Sequence, residues 1–424
     1  MAEDALVSLR RDLHRKPEPA WREFYTTARI VEELNALEAD LEVFAGREAL
    51  AGEYRMGVPD EAELEVWFER ARNAGADEAV LEHLEGGYTG AVAVLEQGDG
   101  PTVGLRVDID ALPREESADP EHVPAAEGFR SEHEGSMHAC GHDAHATIGI
   151  GVLERIAESD FTGTLKVFFQ PAEEVVGGGK SMAKSEHITD VDSLLAVHVG
   201  LDHPTGEVVA GIDGFLAVSH LEATFYGEPA HAGARPEEGR NAIQALATAV
   251  GNLYAIPRHA DGVTRVNAGI VEGGSAANII AEEARLVAEV RGGTTELMRY
   301  MDDRARRVLE SAAEMHECTV EVETGAEAPS AESDEELVSI VADVARETDG
   351  IESVLERDDL GGSEDATFLM REVQQNGGLA CYVGVGTDHP GGHHTSTFDV
   401  DEESLRHGVD VLAGTIERIS LERP

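Results

Sequence analysis

At 424 residues the chain is long for one hydrophobic core, and 42% hydrophobic residues suffice for two globular domains without any run near the ~20 apolar residues of a membrane span. Acidic residues number 84 against 33 basic, a net charge of −51, which excludes nucleic acid and anionic membrane surfaces as electrostatic partners. The acids are spread through amphipathic patterns and read as a solvated, self-repelling surface, tolerable where salt shortens the Debye length to about 3 Å at 1 M. A salt-rich, halophilic cytoplasm is therefore the expected setting. Cys140, Cys318 and Cys381 are too few and scattered for a disulfide framework, and Met1-Ala2-Glu3-Asp4 has neither a basic n-region nor an apolar h-region.

Helical periodicity runs from about Val7 to Leu37 through Leu9, Leu13, Ala20, Phe24, Ala28, Val31 and Leu34. The stretch Val43 to Gly87 is mixed, with one helix expected over Asp60–Asn73. Strands follow at Ala91–Leu95, Val103–Val107, Thr164–Phe169 and Ser193–Val197, with a helix near Ala144–Ala157 between the second and third. This alternation predicts an α/β fold with a largely parallel or mixed sheet. Between about Phe215 and Thr324 the rhythm changes to strand Leu221–Gly227, helix Asn241–Ile256, strands Arg265–Val271 and Ala284–Arg291, helix Thr295–Met315 and strand Thr319–Glu323. That order, βαββαβ, is ferredoxin-like. Helices at Asp334–Thr348 and Asp365–Gln375 and a strand at Ala380–Val385 then return to the first domain. The expected organisation is a mixed-sheet catalytic domain over 1–214 and 325–424, with an inserted lid or dimerisation domain over 215–324.

Chemistry-bearing residues gather at the ends of these elements. Met137-His138-Ala139-Cys140-Gly141-His142-Asp143 places a thiol, imidazoles and a carboxylate within one short stretch, and Gly141 lets Cys140 and His142 converge. Such ligands suit a transition metal. His145 reads as opening the next helix, and His138 as either a ligand or a support for one. The strand ending at Asp108 and Asp110 points both carboxylates toward the carboxyl end of the sheet, where α/β folds bind ligands. Alone, such a pair is more often a cap. Glu173-Glu174, after an apolar strand and before Gly177-Gly178-Gly179, permits one carboxylate to hold a metal while its neighbour moves a proton. His198 closes an apolar strand, where a lone histidine is usually a core residue, and His393-His394 lies in a glycine-rich loop. Jointly these patches read as one composite metal site of a hydrolase.

The same residues resemble the metallopeptidase and amidohydrolase family of aminoacylases and glutamate carboxypeptidases, in the branch that includes hippurate and auxin-conjugate hydrolases. The matching blocks are Arg11–His14, Arg106–Pro113, Met137–His145, Phe169–Glu174, Ala230–Gly233, Gly362–Asp365 and His394 through Asp399, which together span nearly the whole chain. Within the branch, Arg55–Pro59, Gly86–Gly90, Arg240-Asn241-Ala242, the run from Gly362 to Ala380 and the double histidine resemble the p-aminobenzoyl-glutamate hydrolases. Val107 and Ile109 in the Asp-x-Asp strand depart from the pattern and remove no ligand.

The resemblance implies two divalent ions, manganese or zinc with cobalt or nickel as alternatives, held by Cys140, His142, Glu174, His198 and His394. Alignment on Phe398-Asp399 favours His394 over His393. It implies Glu173 as general base and acid, Asp110 as a support for a ligand, and His231 as an oxyanion stabiliser that reaches across a dimer. Asn278 and Arg291 are expected at the ends of strands of the inserted domain, placed to bind a substrate carboxylate. The implied activity is hydrolysis of the amide of an N-acyl or N-aroyl amino acid, with p-aminobenzoyl-glutamate the leading candidate and a broader deacylase the alternative. A non-catalytic, metal-binding partner chain is the reading from another class. The implied partners are the small-molecule substrate and a second lid-bearing chain, identical or related.

Overall fold

Lys16-Pro17-Glu18-Pro19 divides the periodicity expected from Val7 to Leu37 into two helices, Glu3–Arg15 and Phe24–Ala36, in the computed structural model, which describes residues 3–389 and 391–422. Met1 and Ala2, part of the segment searched above for a basic n-region and an apolar h-region, lie outside the described residues. Proline supplies no N–H and pushes its predecessor toward extended backbone, so the helix cannot cross this segment. The buried Glu18 carboxylate instead accepts the N–H groups of Tyr25 and Thr26 at 2.9 and 2.8 Å, capping the second helix. The expected helix over Asp60–Asn73 is Glu61–Asn73, with Asp60 as its cap.

The chain folds into two compact units. Strands β1 (Leu41–Ala45), β2 (Ala91–Glu96), β3 (Thr102–Asp108), β4 (Thr164–Gln170), β5 (Ser193–Val199), β6 (Glu207–Val209) and β7 (Ile212–Asp213) belong to the first. Strands β8 (Ala217–Tyr226), β9 (Thr264–Gly273), β10 (Glu283–Gly292) and β11 (Thr319–Ala328) form the second, and β12 (Ser353–Leu355), β13 (Asp358–Asp359) and β14 (Leu379–Val385) return to the first.

The first unit is built on an 8-stranded mixed sheet in the order β1-β2-β4-β3-β5-β14-β6-β12. Its centre, β4-β3-β5-β14, is parallel. The run Ser193-Leu-Leu-Ala-Val-His-Val199 is buried at every position, as a parallel strand covered on both faces must be. Helices His142–Ala157 and Glu403–Glu422 pack together at two glycines. A Cβ on Gly151 would lie 2.7 Å from Val409, and one on Gly408 2.7 Å from Ile148. Ile148, Val152, Leu405 and Leu412, on these two helices, are buried in the core, each worth about 1.5–3 kcal/mol of burial. Because the central strands are parallel, the loops after β3, β4, β5 and β14 leave from one edge, and that edge carries the site.

The second unit runs from Gly214 to Ser330 with residues 361–364 added. Its antiparallel sheet has the order β11-β8-β10-β9, the fourth-first-third-second arrangement of a ferredoxin-like fold. Leu221, Ala223 and Phe225 alternate inward from β8 onto helices Ala242–Leu253 and Thr295–Met315. Asn241 and Thr294 cap those helices, accepting the N–H groups of Ile243 and Leu297 at 3.1 and 3.3 Å. Among the described residues no helix is long and apolar enough to cross a membrane.

Candidate functional site

Gly141 adopts φ +85°, and a Cβ there would lie 2.5 Å from Val199, so only glycine turns the chain between Cys140 and the helix beginning at His142. That turn aims Cys140 and His142 at the same side of the sheet edge. The Asp110 carboxylate, just beyond β3, accepts from His142 Nδ1 at 3.2 Å with one oxygen and from the Glu174 N–H at 3.0 Å with the other. With Nδ1 occupied, the lone pair of His142 is on Nε2. His198 is set in the same way: Nδ1 donates to the Val199 carbonyl at 2.8 Å, and Nε2 faces Cys140 Sγ at 3.5 Å.

Ligand atoms of Cys140, Glu174 and His394 lie within 4.8 Å of one another, as do those of His142, Glu173 and Glu174, and those of Cys140, His198 and His393. His142 Nε2 and Glu174 Oε1 are buried, 4.0 Å apart, and without a hydrogen-bond partner among the described residues. Orphaned buried polar atoms are costly unless a ligand satisfies them. Facing lone pairs from imidazole, carboxylate and sulfur fit a divalent transition metal.

The electrostatics agree. Burial, then the negative charge of Glu174, pushes the Cys140 thiol well up, and burial also raises the Glu174 carboxyl. Burial alone would lower His142, but the charge of Asp108, with Asp110 and Cys140, outweighs it and raises the imidazole well above its ordinary range. A dication among these groups is the charge that would displace such protons and leave their lone pairs free to bind. His198 is driven well down by burial and neighbouring histidines, which keeps its lone pair available.

Both candidate histidines of the β14 loop are at this edge. His393 Nε2 accepts the Leu201 N–H at 3.0 Å, and its Nδ1 lies 3.5 Å from Cys140 Sγ. His394 is exposed at φ +59°, with Nε2 at 3.6 Å from Glu174. His145, expected to open the helix, lies in its first turn, since the helix already begins at His142, and both its nitrogens are committed: Nε2 accepts the Val199 N–H at 2.8 Å and Nδ1 meets Asp108 at 2.5 Å. His138 is buried, and among the described residues neither of its ring nitrogens has a hydrogen-bond partner.

Two buried networks support the edge, and only fragments of them stood out in the sequence. Arg106 binds Asp108 at 2.7 Å, Gln170 at 2.9 Å and Asp365 at 3.2 Å, all fully buried. Arg10 and His14 both reach Asp143 at 2.8 Å, and His14 Nε2 meets Glu116 at 3.0 Å. Cations set within apolar patterns, Arg106 in a strand and Arg10 in a helix, were the available signal, because a buried charge demands a partner.

The remaining expected residues lie in the second unit. His231 is exposed, its Nδ1 accepting the N–H groups of Gly233 and Ala234 at 3.1 and 3.2 Å. Asn278 was expected at a strand end but lies in the turn between β9 and β10, where its carbonyl accepts the Ala232 N–H at 2.9 Å. The turn residues Gly274 to Ala276 end β9 before that position. Arg291, near the end of β10, meets Glu289 with Nε and Nη2 at 3.1 Å each.

A profile of Peptidase family M20/M25/M40 matches residues 104–418. The chain is 43% identical over 415 residues to indole-3-acetyl-aspartic acid hydrolase of Enterobacter agglomerans, covering 97% of this chain and 94% of that protein. It is 42% identical over 410 residues to one of the subunits of p-aminobenzoyl-glutamate hydrolase from Escherichia coli strain K12, covering 96% and 94%. The crystal structure of aminobenzoyl-glutamate utilization protein from Klebsiella pneumoniae superimposes with a TM-score of 0.83 at 34% identity, over 100% of this chain and 97% of that one.

Proposed function

The chain belongs to peptidase family M20/M25/M40, and we propose that it is a metal-dependent amidohydrolase that cleaves N-acyl or N-aroyl conjugates of acidic amino acids, p-aminobenzoyl-glutamate foremost. The observation that carries this reading is the pair of orphaned, buried lone pairs on His142 and Glu174, facing each other beside Glu173 and Cys140. Cys140, His142, Glu174, His198 and His394 would hold two divalent ions, manganese or zinc, which when bound polarise an amide carbonyl and acidify water. His394 is preferred over His393 as a ligand. His393 Nε2 must accept the Leu201 N–H, so the neutral ring carries its proton on Nδ1 and offers it to the Cys140 sulfur.

In this reading Glu173 takes the proton of the attacking water and delivers it to the departing nitrogen. Asp110 holds His142 and the Glu174 peptide in place. His231 accepts two backbone N–H groups on Nδ1, so its neutral ring presents Nε2–H as a donor suited to an oxyanion. Asn278, beside it, and Arg291 would take the substrate carboxylates. Arg291 would have to exchange its contact with Glu289 to do so. The second unit serves as a lid and pairs with that of another chain, identical or related, in a salt-rich cytoplasm.

The relatives' names join an aromatic acid to aspartate or glutamate, which favours this substrate class over a broad deacylase. The test is hydrolysis in molar salt of p-aminobenzoyl-glutamate, indole-3-acetyl-aspartate, hippurate and N-acetyl amino acids, with and without manganese or zinc. Turnover that needs metal and is lost in Glu173→Gln is expected. Metal binding without turnover on any of them would favour a non-catalytic partner chain instead.

A further inference from the structure

One short turn, Pro171 to Gly178, carries both Glu173 and Glu174, and its backbone is strained. Ala172 and Val176 adopt φ of +57° and +55°. For a β-branched residue such as Val176 this region is an outlier, and it persists only where the surroundings impose it. Part of the constraint is internal: the Ala172 carbonyl accepts the N–H of Gly177 at 2.9 Å, and the Glu173 carbonyl that of Val176 at 2.7 Å. Asp110 adds a second hold through the Glu174 N–H at 3.0 Å.

The third hold comes from a distant part of the chain. Glu23, at the start of the helix Phe24–Ala36, accepts the Ala172 N–H on Oε1 at 2.8 Å and the Thr89 hydroxyl on Oε2 at 2.6 Å. Glu23 is 0% exposed and forms no ion pair among the described residues. Gly90, next to Thr89, gives its N–H to Thr27 at 2.9 Å, and a Cβ on Gly90 would lie 2.6 Å from Pro171. The Glu23 carboxyl is thus clamped between the helix, the start of β2 and the turn. An unpaired buried acid is expensive, and hydrogen bonding at a functional turn accounts for this one. Burial, then the charge of Asp110, raises its pKa, so a glutamine is a close mimic of it.

We propose that Glu23 is a positioning residue for the hydrolytic step: by fixing the Pro171–Ala172 peptide, one residue ahead of Glu173, it aims the Glu173 carboxylate. This rests on the reading of Glu173 as the proton-transfer group. Glu173 lies between two anchored peptides, Pro171–Ala172 held by Glu23 and Glu173–Glu174 held by Asp110. Loss of Glu23 should therefore lower kcat more than it changes KM or metal affinity.

The test compares Glu23→Ala, Glu23→Gln, Thr89→Val and Thr89→Ser with the natural protein in the full chain. Steady-state kinetics on p-aminobenzoyl-glutamate, metal affinity by chelator competition, and deuterium exchange of the Pro171–Gly178 turn are the readouts. Glu23→Ala is expected to lose about 10–100-fold in kcat, the scale of an ångström-level misplacement, with KM and metal affinity within about three-fold and faster exchange in the turn. Glu23→Gln, which keeps an acceptor for Ala172, should restore both kcat and exchange. Should Glu23→Ala fail to fold, Thr89→Val must show the same pattern more weakly and Thr89→Ser must not. An active natural protein whose Glu23→Ala or Thr89→Val variant matches it in kcat or exchange overturns the inference. So does Glu23→Gln as impaired as the alanine. A natural protein without metal-dependent hydrolysis overturns the reading on which it rests, whatever the exchange shows.

Discussion

Replacing Asp110 with asparagine removes one charge and almost no volume, yet it should weaken metal binding nearly as much as alanine does. Asp110 receives two donors, His142 Nδ1–H at 3.2 Å and the Glu174 N–H at 3.0 Å, one on each oxygen. An amide offers one acceptor and one NH₂, so it can satisfy only one of them. If the NH₂ faces His142, Nδ1 must accept, and the neutral ring moves its proton to Nε2, the atom that should hold the ion. If it faces Glu174, two N–H groups oppose each other and the ligand's peptide is displaced. Groups that orient a metal ligand are worth about 10–100-fold in affinity, or about 1.4–2.8 kcal/mol, and here one residue orients two. Asp110→Asn should therefore lose about 100-fold toward manganese or zinc by chelator competition, with an unchanged circular dichroism spectrum. Natural affinity in that variant would refute the tautomer argument and remove Asp110 from the site.

Arg106→Met should be among the most destabilising single changes in the first unit, by about 3–5 kcal/mol, because it leaves Asp108 and Asp365 buried without their shared cation; a urea midpoint close to that of the natural protein would contradict this. His14 is pushed up to about 9: burial and Arg10 lower it, but the hydrogen bonds it donates to Asp143 and Glu116 outweigh them. Its folded-state pKa exceeds the ordinary value of about 6.5, so its contribution is complete below that value and is lost as pH rises toward 9. Thermal stability should fall across that window and fall less in His14→Gln; equal slopes would assign the loss to other groups. With a net charge of −51, dilution from molar salt to 0.1 M lengthens the Debye length from about 3 to about 10 Å and should lower the melting temperature. A melting temperature independent of salt would dissociate the acidic surface from any halophilic setting.

What could be read in advance divides along a physical line. The parallel core strands were legible because burial on both faces writes a continuous apolar run, as in Ser193–Val199. The helix Thr295–Met315 was legible because one apolar stripe, with a threonine cap, repeats along its whole length. The helix Glu403–Glu422 was not, since Gly408 and Gly414 and its β-branched residues weaken local propensity. Those glycines are needed where a Cβ would lie 2.7 Å from Ile148 and 2.9 Å from Val344. Packing set that sequence, and packing is invisible to periodicity.

The site divides in the same way. Cys140 and His142 announced themselves because their ligand atoms converge through a single glycine, and Glu173-Glu174 because two acids interrupt an apolar pattern. Glu23 did not, since one glutamate at the start of a helix is ordinary in a chain with 84 acids. Its partner is an N–H that lies 149 positions away. A backbone donor has no sequence signature, so a group such as Glu23, whose link to the site runs through one, is the part that only coordinates reveal.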